Sequence, residues 1–183
     1  MAFPTRCLYG LGADAFNPDA VDRIFDIKQR CAKSPILVLI EDRLQLAYLV
    51  KRVPDVASKL MARFWPGRIT IVFEAKDTVP LNLTARSGKI GVRIPGHHAA
   101  QTLVKAVGGP ITGTSANLSG SPGCHRIEDL ESQIAGQLDL ILDAGNLAGG
   151  KGSTIVDVSA GKPKILREGA ISKQAIMALV GQC

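Results

Sequence analysis

The sequence predicts an α/β fold: a single domain built on a twisted, mixed β-sheet flanked by helices, with a basic concave cleft. Segments of helix period and strand period alternate along the chain, which is the pattern of α/β domains. The 183 residues, 46% hydrophobic and 21% charged, suit one domain with its own core and exclude two large ones. With 22 Lys and Arg against 16 Asp and Glu, the net charge is +6, which favours anionic partners such as nucleotides, RNA or acidic lipid without choosing among them.

The first helix is well punctuated. Asn17 suits its cap and Pro18 its first position, with Val21, Ile24, Phe25 and Lys28 following at helical spacing. Lys28-Gln29-Arg30 then falls at its C-terminus, where cations suit the dipole and can project over a neighbouring site. Residues 35–40 are apolar without alternation and read as a buried strand. Two short helices follow, at 42–50 and 54–64, then strands at 69–73 and 89–95, a helix at 98–107 and a strand at 110–114. Past a turn-rich loop at 115–123, an amphipathic helix is expected near 127–137. Strands are expected at 138–142, 154–158 and 164–167, and Ser172 caps a last helix running through residue 179. Short Gly-rich turns between the last strands make the sheet mixed rather than wholly parallel.

Several classes are excluded. No apolar run approaches the ~18–20 residues of a membrane-spanning helix, and the start, Met-Ala-Phe-Pro-Thr, lacks a basic region followed by an apolar one. A cytoplasmic location with no membrane partner is expected, a mitochondrial matrix location being the alternative. Cys7, Cys31, Cys124 and Cys183 have neither disulfide-scaffold nor zinc-finger spacing and are expected as free thiols. Gly10-Leu-Gly12-Ala-Asp-Ala15 matches a loose dinucleotide fingerprint, but the helix signal comes later, at Asn17-Pro18, so the glycines read as a tight turn. The run from Gly145 to Gly152 nearly matches a phosphate-binding loop. Gly152 stands where a hydroxyl residue is needed, however, and a strand pattern rather than a helix follows. A flexible glycine loop delivering Ser153 to a ligand remains open. His97, His98 and His125 lack a third ligand at metal spacing and read as surface histidines, so no protein metal site is expected.

Four short segments have the chemistry to converge on an anion. Lys28 and Arg30 supply a point charge and a fork donor. The turn from Thr112 to Gly120 packs hydroxyls, an amide and glycines that present donors to phosphate or carboxylate oxygens. Arg93 and Arg167 each end a strand, and Ser153-Thr154 follows the glycine loop. Ligands of α/β sheets bind beyond strand ends, where a cleft would gather these groups.

That order resembles the family of threonylcarbamoyl-adenylate synthases, the YrdC/Sua5-like domain. The resemblance covers nearly the whole chain: Phe3-Pro-Thr5, Tyr9-Gly-Leu-Gly12-Ala-Asp14, Lys28-Gln-Arg30, Trp65-Pro-Gly67 with Thr70, Gly91-Val-Arg93-Ile-Pro95, Ser115-Ala-Asn117-Leu-Ser-Gly120, Gly145 with Ser153-Thr154-Ile-Val-Asp157, and Arg167-Glu-Gly169. It implies a YrdC-like fold in the short form, without the additional C-terminal domain of Sua5. It also implies a nucleotidyltransferase reaction, in which L-threonine, bicarbonate and ATP give threonylcarbamoyl-AMP and pyrophosphate for the t6A37 modification of tRNA.

On the resemblance, Lys28, Arg30, Ser115 and Asn117 form the catalytic set. ATP falls to Lys28, Arg30, Lys89, Asn117 and Arg167, and threonine to Thr5, Cys7, Arg93, Ser115 and Ser153. Mg2+ is expected with ATP, and the partners include tRNA or double-stranded RNA and the downstream threonylcarbamoyl-transferase machinery. A non-catalytic RNA-binding module of the same fold is the alternative, and a hydrolase-like or carbamoyl-transferring paralogue is a third reading. The chain departs from the family pattern at four places. Cys7 replaces a hydroxyl residue, no histidine occurs near Leu39, Cys31 follows Lys28-Gln29-Arg30, and Met1 stands two residues before Phe3, so that either a trimmed N-terminus or a short first strand with an altered sheet edge is expected.

Overall fold

A computed structural model describes residues 1–181; Cys183 lies outside them. In chain order the elements are β1 (Ala2–Pro4), β2 (Tyr9–Leu11), α1 (Pro18–Ile27), β3 (Leu37–Leu39), α2 (Leu46–Leu49), α3 (Asp55–Phe64), β4 (Ile69–Glu74), β5 (Lys89–Arg93), α4 (His98–Val107), β6 (Ile111–Ser115), α5 (Ser132–Ala135), β7 (Thr154–Asp157), β8 (Lys164–Arg167) and α6 (Lys173–Val180). All eight strands join one mixed sheet in the order β1-β2-β6-β3-β5-β4-β7-β8. The β3–β5 and β4–β7 pairs are parallel, and the other pairs are antiparallel.

Both faces of the central sheet are covered, which is why residues 35–40 show no polar alternation. Successive β3 residues point to opposite faces: Val38 joins the large core that includes Val21, Leu60 and Ile176 of α1, α3 and α6, while Leu39 joins a smaller cluster with Ala100 and Val104 of α4. The Asn17 side chain caps α1 by accepting from the Ala20 N–H at 3.1 Å, and Ser172 caps α6 by accepting from Ala175 at 3.2 Å. No helix among the described residues is long and apolar enough to cross a membrane.

Four local expectations are corrected. The single helix at 127–137 is instead a 3-10 turn at Ile127–Asp129 and the short α5, separated by Leu130 and Glu131 in non-helical conformation with ψ of 122° and 128°. The apolar spacing that mimics a helix survives because Leu130 and Ile134 are both buried. Residues 138–142 form no strand: one bridge, Ala2 to Ile141, is flanked by Ala2 N–H to Leu140 O at 2.8 Å and Leu142 N–H to Ala2 O at 3.0 Å. β1 gives that segment only the N–H and C=O of Ala2, because Phe3 pairs with β2 on the other side and Pro4, the next residue facing this edge, has no N–H. The helix at 42–50 shrinks to α2, because the Asp42 carboxylate draws the Leu44 and Gln45 N–H groups into a turn ahead of it.

Gly10 lies in β2 and Gly12 directly follows it, so neither makes a tight turn. Both leave room for the buried Phe3 ring of the adjacent strand: a Cβ on Gly12 would stand 2.8 Å from Phe3 Cε1 and 3.1 Å from Thr112 O. Gly12→Ala is therefore expected to cost about 1–3 kcal/mol by overpacking, read as a lower midpoint in denaturant unfolding. An unchanged midpoint would show that the Phe3 ring moves freely.

Candidate functional site

A cavity of about 320 Å³ opens at one end of the sheet, walled by the β1–β2 turn, the strand ends at Arg93 and Ser115, and the segment entering β7. Its lining holds five arginines and one lysine (Arg6, Arg30, Arg68, Arg93, Arg167 and Lys151) and no Asp or Glu. Its size lies at the small end of the ~300–1,000 Å³ typical of ligand pockets.

The end of α1 sets the first wall. Gln29 adopts a left-handed φ of 48°, its N–H bonds Asp26 O at 3.0 Å, and the Arg30 N–H bonds Phe25 O at 2.8 Å. These are the two hydrogen bonds of a Schellman stop, here with Gln where Gly is usual. The turn separates the two cations that the sequence pairs. Arg30 stays at the cavity, its guanidinium held by Ser34 O at 3.1 Å and Pro35 O at 3.0 Å. Lys28 points inward, 1% exposed, and its ammonium donates to Ser115 O at 2.5 Å and Asn117 O at 2.6 Å. Ser119 N–H returns a bond to Lys28 O at 2.9 Å. Burial, and next the charge of Arg30, push Lys28 down to about 8. Two carbonyls for the three hydrogens of an ammonium suit that direction.

Ser115 ends β6 on the cavity side. Asn117 is buried behind it, its amide donating to Leu118 O at 2.6 Å and Ser121 O at 2.7 Å, while its Oδ1 has no partner. Arg93 ends β5 with its Nε buried and unpartnered. Burial, and next the nearby Arg167 charge, push its guanidinium down to about 10. Arg167 donates to Ser153 O at 2.9 Å, clamping the segment that enters β7. Gly169 makes that clamp possible, since a Cβ there would strike the Gly152 and Ser153 backbone. In the β1–β2 turn, the Thr5 hydroxyl donates to Leu8 O at 2.5 Å, and Cys7 Sγ accepts from Arg68 at 3.8 Å.

The cavity thus gathers Thr5, Cys7, Arg30, Arg93, Ser115, Ser153 and Arg167 of the residues expected from sequence. It does not gather Lys28, Asn117 or Lys89. The first two brace the loop from behind. Lys89 sits at the far end of β5 and pairs with Asp157 at 2.8 Å. Burial acts to raise the Asp157 carboxyl, but the hydrogen bonds from Lys89 and Ser159 outweigh it and hold the group below its ordinary value.

Sequence reasoning missed four lining residues, Arg6, Arg68, His97 and Lys151. Arg68 follows Trp65-Pro-Gly67 and Lys151 sits between glycines, so adjacency to motif glycines was the available signal. His97, expected on the surface, lines the cavity with a buried, unpartnered Nδ1, and burial lowers its pKa. Among the described residues no three His, Cys, Asp or Glu are grouped to hold a metal ion, and the lining offers no carboxylate. These residues do not furnish a Mg2+ site.

Fold and cavity together describe an α/β protein with a pocket at one end of its sheet, lined by five arginines and a lysine and by no carboxylate. Residues 1–169 match the Sua5/YciO/YrdC family, described as "Telomere recombination", and the chain belongs to that family. It is 36% identical over 182 residues to the threonylcarbamoyl-AMP synthase of Pyrococcus abyssi, covering 100% of this chain and 54% of that protein. The Bacillus subtilis threonylcarbamoyl-AMP synthase is 38% identical over 182 residues, with 99% and 53% covered. The chain therefore spans about half the length of these curated relatives. The structure of P. abyssi Sua5 complexed with L-threonine superposes with a TM-score of 0.94 at 36% identity, covering 98% of this chain and 53% of that one. E. coli YciO superposes with a TM-score of 0.84 at 30% identity, covering 96% and 85%.

Lys28→Met is expected to destabilise the protein by about 2–4 kcal/mol, because two buried carbonyls lose their donor. The pH dependence follows from linkage. Between about 8, the value in the folded chain, and the ordinary 10.5, the unfolded chain binds the extra proton, so the wild-type stability due to this group rises with pH. The deficit of the variant should therefore widen across that window in denaturant titrations. A deficit that does not vary with pH would show Lys28 to be unperturbed.

Proposed function

We propose that this chain forms L-threonylcarbamoyl-AMP and pyrophosphate from L-threonine, bicarbonate and ATP, as a nucleotidyltransferase serving tRNA modification in the cytoplasm. The observation that carries this reading is the cavity wall itself. Arg30, Arg93 and Arg167 arrive from three separate elements, with Ser115 and Ser153 between them and no carboxylate to neutralise any of them. Such a wall suits a ligand that brings several negative charges, as a nucleoside triphosphate with an amino acid does.

In this reading the threonine nitrogen bonds to the carbonate carbon with loss of water. The resulting carbamate oxygen then attacks the α-phosphorus in line, and pyrophosphate leaves. The protein supplies positioning and charge neutralisation, with no protein nucleophile. Arg30 and Arg167 face the phosphates. Arg93, whose Nε has no protein partner, grips the threonine carboxylate as a fork. Ser115 orients the transferring oxygens, while Thr5, Cys7 and Ser153 line the amino-acid end. Lys28 and Asn117 act from behind, by holding the Ser115 loop, and Lys89 has no direct part. Mg2+ would travel with the nucleotide, held by its phosphates.

Pyrophosphate release with ATP, bicarbonate and L-threonine tests the proposal. Release is expected only with all three present, and Arg93→Ala is expected to raise the KM for threonine by roughly 30-fold or more, through loss of a charge-assisted pair worth ~2–3 kcal/mol. Release independent of threonine, or none from folded protein that retains RNA on a filter, would favour the paralogue or the RNA-binding module instead.

A further inference from the structure

Thr70 lies on β4, paired through the parallel β4–β7 ladder with the residues just after Ser153. It is 1% exposed, and its Oγ1 stands 2.9 Å from Ser153 Oγ, itself 5% exposed. Among the described residues neither hydroxyl has any other hydrogen-bond partner. Its methyl is fixed as well: Cγ2 lies 3.2 Å from where a Cβ on Gly91 of β5 would be, so the glycine leaves the space that the methyl takes. A β-branched side chain seated this way keeps one χ1 rotamer.

A hydroxyl has one hydrogen to give and two lone pairs to receive. Thr70 is enclosed, and the only acceptor within reach of its hydrogen is Ser153 Oγ. Ser153 also lines the cavity and has a second direction open to it. If Ser153 donated inward, the Thr70 hydrogen would be buried without an acceptor, which folded proteins avoid. The bond therefore runs from Thr70 to Ser153, and the Ser153 hydrogen turns toward the cavity. We propose that Thr70 is a positioning residue that makes Ser153 a hydrogen-bond donor to an anionic oxygen of the ligand, the amino-acid carboxylate in the reading above, on which this inference rests. The remaining lining agrees, since its charged side chains are all cationic donors.

The test is calorimetric binding of L-threonine to the wild-type chain, Thr70→Val, Thr70→Ser and Ser153→Ala, with thermal unfolding to verify that each is folded. Thr70→Val keeps the shape and removes the donor. It should bind about fivefold or more weakly, the worth of one hydrogen bond, and Thr70→Ser should restore binding. In the Ser153→Ala background Thr70→Val should cause no further loss, because the residue acts only through that hydroxyl. Wild-type affinity in Thr70→Val, or the same loss in both backgrounds, would overturn the inference. Absence of L-threonine binding by the wild-type chain would overturn the reading of the cavity instead, and inorganic pyrophosphate would then replace it as probe on the same variants. Failure of that anion to bind, or binding indifferent to Thr70→Val, would overturn the inference too.

Discussion

The buried ammonium of Lys28, donating to the carbonyls of Ser115 and Asn117, is the tie on which the site depends. It joins the end of α1 to the loop after β6, two segments that no strand pairing connects. Removing an ammonium from water is costly, and its two carbonyl acceptors offset only part of that cost, which is why burial still lowers the Lys28 pKa. The same left-handed stop that sends Lys28 inward leaves Arg30 at the cavity. Two cations one residue apart thus take opposite tasks, one holding the wall and the other facing the cavity.

No acidic side chain lines the cavity. The ion pairs Arg23–Asp139, Lys51–Glu74, Lys51–Asp77, Lys89–Asp157 and Arg126–Asp129 all lie outside the cavity. Apart from Lys89–Asp157, whose carboxylate is buried, these pairs are exposed and add little stability. Their distribution matters more: the cavity cations are left facing one another, and Arg93 feels both burial and the charge of Arg167. An anion entering this space relieves a repulsion that folding alone leaves in place.

Most of the fold was legible because its elements obey local rules. Asn17-Pro18 and Ser172 mark helix starts by capping, and the unbroken apolar run ahead of Ile40 announces a strand covered on both faces. What failed was tertiary. Residues 138–142 have strand composition but meet an edge that Pro4 ends after one residue, and Gly12 is a glycine because of a ring on the neighbouring strand. At the site, residue types were legible and directions were not. Lys28 and Arg30 look equivalent in sequence, and only the φ of Gln29 parts them. Lys89 and Arg93 begin and end the same strand, so one reaches the cavity and the other lies at the opposite end of the sheet. Thr70 stood out only as part of the pattern with Trp65-Pro-Gly67, and its chemistry stayed hidden because its partner, Ser153, is distant in sequence.

The strand order has a kinetic consequence. The β1–β2 turn and Arg167 of β8 belong to local hairpins, but those hairpins are brought to the cavity by pairings remote in sequence: β2 against β6, β3 against β5 and β6, β4 against β7. Such non-local pairings close slowly, because loop entropy is lost before contacts compensate it. No single hairpin or helix pair contains enough of the cavity to hold a ligand, so a partly folded chain has no site to offer. Occupancy draws on the global stability of the sheet rather than on any local unit, and ligand binding is coupled to the completion of folding.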